Sequence, residues 1–224
     1  MSYGANDNEL IYRIKKMQTS PVSRVFGLDR GTAIDRIYIE SFLDECREKI
    51  FGDCLEIAED TYTRRYGGDK VTHSMKLHYT DDKNAIRGDL VSGDGIEECI
   101  VDCAIITQTM MFVKDVRKCV TNIYRMLKPG GHALLTVSGI SQVSTYDRDR
   151  WGHFYGFYED GIHELFDSVF GRDNVNVKTY GNVKTAIAFL YGLCAEDLSA
   201  EDFKFIDKDY PVIYGIDAKK VNSL

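Results

Sequence analysis

Residues 101–137 constrain this chain most. Val101 to Thr107 is a short apolar run of the kind that forms a buried parallel strand, and His132 to Val137 is another. Between them Val113, Val116, Val120, Ile123, Tyr124 and Leu127 recur at helical spacing. Lys128-Pro129-Gly130-Gly131 then stops the helix, because proline cannot continue it and glycine reaches positive φ. Strand, helix, tight turn and strand in this length predict a β-α-β unit, and so a parallel sheet with right-handed crossovers.

Similar units flank it. Residues 1–21 read as an N-terminal arm with one short helix, Glu9 to Met17, and 22–224 as a single domain. Thr32 is placed to cap a helix from Ala33 whose stripe is Ile34, Tyr38, Ile39, Phe42, Leu43, Cys46 and Ile50. Strands are expected at Asp53–Ala58, Lys70–Leu77, Ala85–Arg87, Val175–Tyr180 and Tyr210–Ala218. A short helix is expected before Gly67-Gly68, and longer ones at Glu159–Phe170 and Val183–Leu193. Ser138 to Gly156 reads as a long loop holding Trp151, the only tryptophan. The count fits an α/β fold with a seven-stranded, mostly parallel, doubly wound sheet. Such sheets bind ligands beyond the carboxyl ends of their strands, so the loops after strands one to four are the place to look.

Composition removes several alternatives. The net charge of −7, without a Lys/Arg run, argues against a nucleic-acid or anionic-membrane surface. The six cysteines form no Cys-x-x-Cys pair, which predicts reduced structural thiols and a cytoplasmic setting. No apolar run is long enough for a membrane span.

Several motifs carry a resemblance. Asp102 opens a strand that leads through a polar turn and a helix into Leu127-Lys128-Pro129-Gly130-Gly131. Further motifs are Gly27-Leu28-Asp29-Arg30-Gly31-Thr32-Ala33-Ile34-Asp35-Arg36, Leu55-Glu56-Ile57 with Tyr62-Thr63-Arg64, Trp151-Gly152-His153-Phe154 and Tyr180-Gly181-Asn182. Together they resemble class I S-adenosylmethionine-dependent methyltransferases, in the branch associated with bacterial glycosyltransferase and polysaccharide gene clusters. The resemblance covers residues 24 to 215. It implies a Rossmann-like fold, S-adenosylmethionine as cofactor, and a small-molecule or glycan acceptor. A homodimer and an association with glycosyltransferases are both open.

The same resemblance assigns roles. The cofactor-binding set would be Arg30, Glu56, Ala58, Glu59, Tyr62, Arg64, Ser74, Met75, Asp89, Leu90, Thr107, Gln108 and Met110. Arg30 and Arg64 are candidates for the cofactor carboxylate, since a guanidinium pairs with one at two points. Asp89 would accept from the adenine amino group and Leu90 would cover the ring. Thr107, Gln108 and Met110 would line the methionine part. Two departures stand out: Ala58 and Asp60 replace glycines of the usual first loop, and the second strand offers His73-Ser74-Met75-Lys76 where a ribose-binding carboxylate is usual. Ribose would then be held through Ser74 or water, with Met75 on the adenine.

His153 is the candidate base, because imidazole titrates near neutral pH and its loop is expected to cap the site. Trp151, Phe154 and Tyr155 are candidates for stacking on a sugar acceptor. No metal is expected. Catechol-type enzymes place Asp after strand four, where Thr107 and Gln108 stand here, and the Asp-Asn pair past the last of these strands, Asp173-Asn174, lies after a later helix. The Pro-Pro-Tyr signature of amino-methylating nucleic-acid enzymes is absent. Three functions remain: O-methylation of a sugar hydroxyl, O- or N-methylation of a natural product or metabolite, and a non-catalytic scaffold with a decayed cofactor site.

Overall fold

The computed structural model describes residues 5–80 and 82–221. Residues 1–4 of the expected arm and 222–224 of the expected domain lie outside the described residues. Seven strands form one sheet: β1 (Gly52–Ile57), β2 (Val71–His78), β3 (Ile86–Arg87), β4 (Val101–Thr107), β5 (Leu127–Ser138), β6 (Val175–Tyr180) and β7 (Ile213–Lys219). Their order is β3-β2-β1-β4-β5-β7-β6. β1 to β5 run parallel, and β7 lies antiparallel between β5 and β6. The order reverses between β1 and β4, so a crevice opens at their carboxyl ends.

Alternation along the central strands explains why both faces are covered. Leu55, Ala104 and Ile106 face one core, completed by Val120 and Ile123 of α3 (Val116–Met126) and by Ile162 and Phe166 of α5 (Glu159–Phe170). Cys54, Cys103 and Ile105 face the other, completed by Ile34, Tyr38 and Phe42 of α2 (Ile34–Glu45) and by Phe189 of α6 (Val183–Leu190). A strand buried on both faces must be apolar at consecutive positions, which is why these runs do not alternate with polar residues. A Cβ on Gly215 would meet the Phe42 ring at 2.4 Å, so glycine there lets α2 lie directly on β7.

The structure moves several expected boundaries. The arm helix, α1, spans Ala5–Lys16. The expected 138–156 loop contains α4 (Thr145–Trp151), capped by Ser144, whose Oγ accepts from the Asp147 amide at 3.3 Å. Thr32 does not cap α2. Its amide and hydroxyl donate to Glu196 at 2.9 and 2.7 Å, and Ala33 takes the cap position without a side-chain bond. α6 stops at Leu190 rather than Leu193, and Gly192 then adopts φ 74°. β7 begins at Ile213, past Pro211, which cannot donate to the ladder. All six cysteines are free thiols, five of them buried. Among the described residues no helix is long and apolar enough to cross a membrane.

Candidate active site

A cavity of about 620 Å³ lies at the carboxyl ends of β1, β4 and β5, a size typical of small-molecule sites. Phe26, Ala33, Asp35 and Arg36 supply one wall, from the start of α2 and the segment before it. Glu59 and Tyr62 come from the loop after β1, and Thr107, Gln108, Met111 and Phe112 from the end of β4. Ser138, Ser144, Tyr146, Asp147 and His153 close the far side.

The backbone around this cavity is strained. Among the described residues four non-glycine residues have positive φ: Phe26 (62°) and Gln108 (47°) line this cavity, Ala58 (66°) directly precedes the lining residue Glu59, and Cys99 (53°) stands elsewhere. Left-handed backbone is unfavourable for a residue with a Cβ, and such residues concentrate at functional sites. Ala58 holds the left-handed geometry that favours glycine, on which the sequence departure at this position turned. It is fixed by its amide, which donates to the Leu77 carbonyl at 2.8 Å. The left-handed form costs alanine about 1–2 kcal/mol, and glycine's looser unfolded state takes back roughly 0.4–1 kcal/mol. Ala58→Gly is therefore expected to raise stability by about 0.5–1 kcal/mol. Urea melts check this; a loss of stability would contradict the left-handed geometry.

Glu56 holds the loop rather than facing the cavity. It is buried, and its carboxylate accepts from the Tyr62 and Thr63 amides at 3.3 and 2.8 Å. Burial pushes its pKa up, against the pull of those amides. Tyr62 is buried beside it, and burial pushes its phenol up to about 12, so it stays a neutral donor. Gln108 follows β4 with its amide donating to the Thr136 carbonyl at 2.9 Å. Its Nε2 is buried and has no partner in the protein. His153 Nδ1 is likewise buried and unpaired. Its ring packs edge-on against Phe112 at 5.1 Å. Burial lowers the His153 pKa, opposed by the Asp147 carboxylate, so the imidazole is neutral at pH 7. Gln108 and His153 both line the cavity, and each carries a buried polar atom whose hydrogen bond the protein leaves unmet.

Other expected residues stand elsewhere. Arg30 pairs with Asp197 at 2.9 Å and Arg64 with Asp60 at 2.7 Å, so both guanidinium groups already hold a carboxylate outside the cavity lining. Ser74 is exposed and donates to Asp60 at 3.2 Å. Met75 packs against the core under α3. Met110 is fully buried in that core, with the Cys119 thiol 3.4 Å from its sulfur, and Met111 lines the cavity instead. Asp89 Oδ1 accepts from the Val91 amide at 2.7 Å, which fixes the turn after β3. Leu90 is buried there, and Asn122 Nδ2 donates to the Leu90 and Val91 carbonyls at 3.0 Å each. Trp151 stacks edge-on to Tyr79, Phe154 is exposed, and the Tyr155 hydroxyl donates to the Lys114 carbonyl. The three aromatic residues lie outside the cavity lining. Gly152, at φ 88°, ends α4 between Trp151 and His153. A Cβ there would meet the Phe154 ring at 2.4 Å.

Asp35 and Asp147 are the acidic lining residues that sequence reasoning missed, and Asp35 is the more perturbed. Asp35 lines the cavity from the first turn of α2, and burial raises its pKa to about 6, against amides of the helix start and the charge of Arg36. The only sequence signal was its place inside the Gly27–Arg36 motif. Among the described residues no group of three or more His, Cys, Asp or Glu side chains is placed to hold a metal ion.

Residues 55–135, which run from β1 through β5, match the model of a family described as a methyltransferase domain. The match covers less than half of the chain, and the fold around it is that of class I, S-adenosylmethionine-dependent methyltransferases. An S-adenosylmethionine-dependent methyltransferase from Archaeoglobus fulgidus superposes with a TM-score of 0.54 at 12% identity, covering 83% of this chain and 94% of that one. A second from Mesorhizobium loti gives 0.51 at 12% identity, covering 84% and 98%. The CurJ carbon methyltransferase gives 0.54 at 13% identity, covering 88% and 57%. No curated protein matches the chain. At these identities the solved structures speak to the fold alone, and the activity and acceptor have to be argued from the site.

Proposed function

We propose that this protein is an S-adenosylmethionine-dependent methyltransferase that acts without a metal on a sugar hydroxyl of a bacterial glycan or glycan precursor. The observation that carries the reading is His153, whose imidazole is neutral with Nδ1 buried and unpaired, lining the same cavity as Thr107 and Gln108. When bound, S-adenosylmethionine supplies an electrophilic sulfonium methyl that leaves as a neutral thioether.

The chain's own residues fit that group. Thr107, Gln108 and Met111, at the end of β4, would hold the methionine part, with Gln108 Nε2 as an available donor. Ala58 and Glu59 bring backbone close at the end of β1. Asp35, Glu59 and Asp147 give the cavity three carboxylates against the single guanidinium of Arg36, a field that favours a cationic ligand. Asp89 and Leu90 would frame the adenine at the end of β3, a part of the site that lies beyond the cavity lining. His153 would take the proton of the acceptor hydroxyl. Trp151 and Phe154, exposed on either side of His153 in sequence, offer aromatic faces to a sugar ring. The branch resemblance supports a glycan acceptor, glycosyltransferase partners and a cytoplasmic setting.

The test is transfer from methyl-labelled S-adenosylmethionine to a panel of nucleotide sugars and oligosaccharides. Label in a sugar methyl ether is expected. Label only in amines or in non-sugar metabolites would replace the glycan reading, and no binding of the cofactor would leave a scaffold.

A further inference from the structure

Helix α6 covers one core with Ala186, Ala188 and Phe189, yet its outer face is also apolar. Its exposed positions are Val183, Lys184, Ile187 and Leu190, with the three apolar residues 45%, 48% and 41% accessible. They fall at i, i+4 and i+7, one stripe along the helix. Lys184 is drawn aside to Asp202 at 2.7 Å. Helix α1 shows a second stripe with the same spacing: Leu10 and Ile14 are 59% and 52% accessible, and Met17, just past its end, 41%. A single chain therefore leaves two matched apolar stripes in water, which marks an association surface.

The two stripes are complementary in charge. Arg13, Lys15 and Lys16 make the last turn of α1 basic. Residues 195–209, part of which packs against α6, hold six carboxylates (Glu196, Asp197, Glu201, Asp202, Asp207 and Asp209) against Lys204 and Lys208. The root of α1 is fixed at the far end of α6, where the Tyr191 hydroxyl donates to the Gln18 carbonyl and the Val22 amide to the Tyr191 carbonyl at 2.8 Å. From that root α1 does not lie back on its own α6, and its stripe stays exposed.

We propose that the outer face of α6 is covered by helix α1 of a second copy of this chain, each copy giving its α1 to the other. The exchange is a two-fold interface, so one short contact is made twice. Ile187, in the middle of the α6 stripe, is its centre.

Sedimentation velocity on the full chain at micromolar concentration is the test, with Ile187→Asp and the double variant Leu10→Asp/Ile14→Asp. The wild type is expected to be a dimer and each variant a monomer with an unchanged circular dichroism spectrum. Truncating the centre of such a contact should raise the dissociation constant by about 30-fold or more. Mixing the two variants is expected to restore part of the dimer, because one wild-type α1 then meets one wild-type α6. A monomeric wild type overturns the proposal, as does a dimer indifferent to either variant. A dimer broken by Ile187→Asp alone also overturns it, since α6 would then be pairing with itself.

Discussion

His153→Gln is expected to lower kcat by about 10²–10⁴-fold, the usual weight of a positioned general base, while cofactor affinity stays near that of the wild type. Glutamine keeps polar atoms of similar reach but cannot accept a proton at neutral pH. The pH dependence gives the stronger check. Burial lowers the His153 pKa below the ordinary imidazole value, with Asp147 opposing. The imidazole is neutral above that pKa and competent as a base there. In the wild type kcat/KM should fall as pH drops below about 6.5, through the folded pKa, and His153→Gln should lose that acid limb along with its activity.

Asp35 titrates close by, at about 6, because burial raises it. The two groups are separable. If Asp35 were the base, Asp35→Asn would abolish the acid limb, and His153→Gln would keep both the limb and most of the rate. That pattern would sink the role given to His153. If His153 is the base, Asp35→Asn keeps the limb.

The two groups also show how far the sequence could be read. The sheet was legible because Val101–Thr107 and His132–Val137 are apolar on both faces and the helix between them has one stripe, a pattern that tertiary contacts do not alter. Thr107, Gln108, Glu59, Tyr62 and His153 could be placed because the carboxyl end of a strand is fixed by strand direction alone. Asp35 and Asp147 reach the cavity from the starts of α2 and α4, and nothing local says which end of a helix closes over the sheet. Arg30 and Arg64 were misread for a related reason. A guanidinium in sequence shows no partner, and Asp197 and Asp60 are supplied by folding. α4 was missed because its seven residues, Thr145 to Trp151, carry Asp147, Arg148, Asp149 and Arg150 at consecutive positions and no apolar stripe; Ser144 and Asp147 at its start were the only helix signal.

Asp217→Ala is expected to cost about 2–3 kcal/mol, the loss of charged hydrogen bonds at a buried carboxylate whose Lys49 partner is itself partly exposed. Asp217 lies on β7 and is 8% accessible. Its Oδ1 meets His132 Nδ1 of β5 at 2.7 Å, and its Oδ2 accepts from Lys49 Nζ, so one carboxylate joins two neighbouring strands and the short 3-10 turn (Arg47–Lys49) between α2 and β1. Burial alone would raise its pKa. The hydrogen bonds from His132 and Lys49, with their charges, outweigh burial and hold it below the ordinary value. An acid whose folded pKa is depressed adds stability that is present above its unfolded pKa of about 3.9 and lost as pH falls towards the folded one. Wild-type stability should therefore decline below about pH 4, and the Asp217→Ala protein should lack this part of the decline. For a chain of this size the melting temperature should drop by roughly 10 °C at neutral pH. Because Asp217 is far from the cavity lining, cofactor affinity below the melting range should be kept. Asp217→Ala and His132→Ala, alone and together, should show coupling of about 1 kcal/mol or more. A loss under about 1 kcal/mol for Asp217→Ala, a value ordinary for an exposed pair, would mean that water already reaches the carboxylate and that the β5–β7 seam is held by its backbone ladder and apolar packing instead.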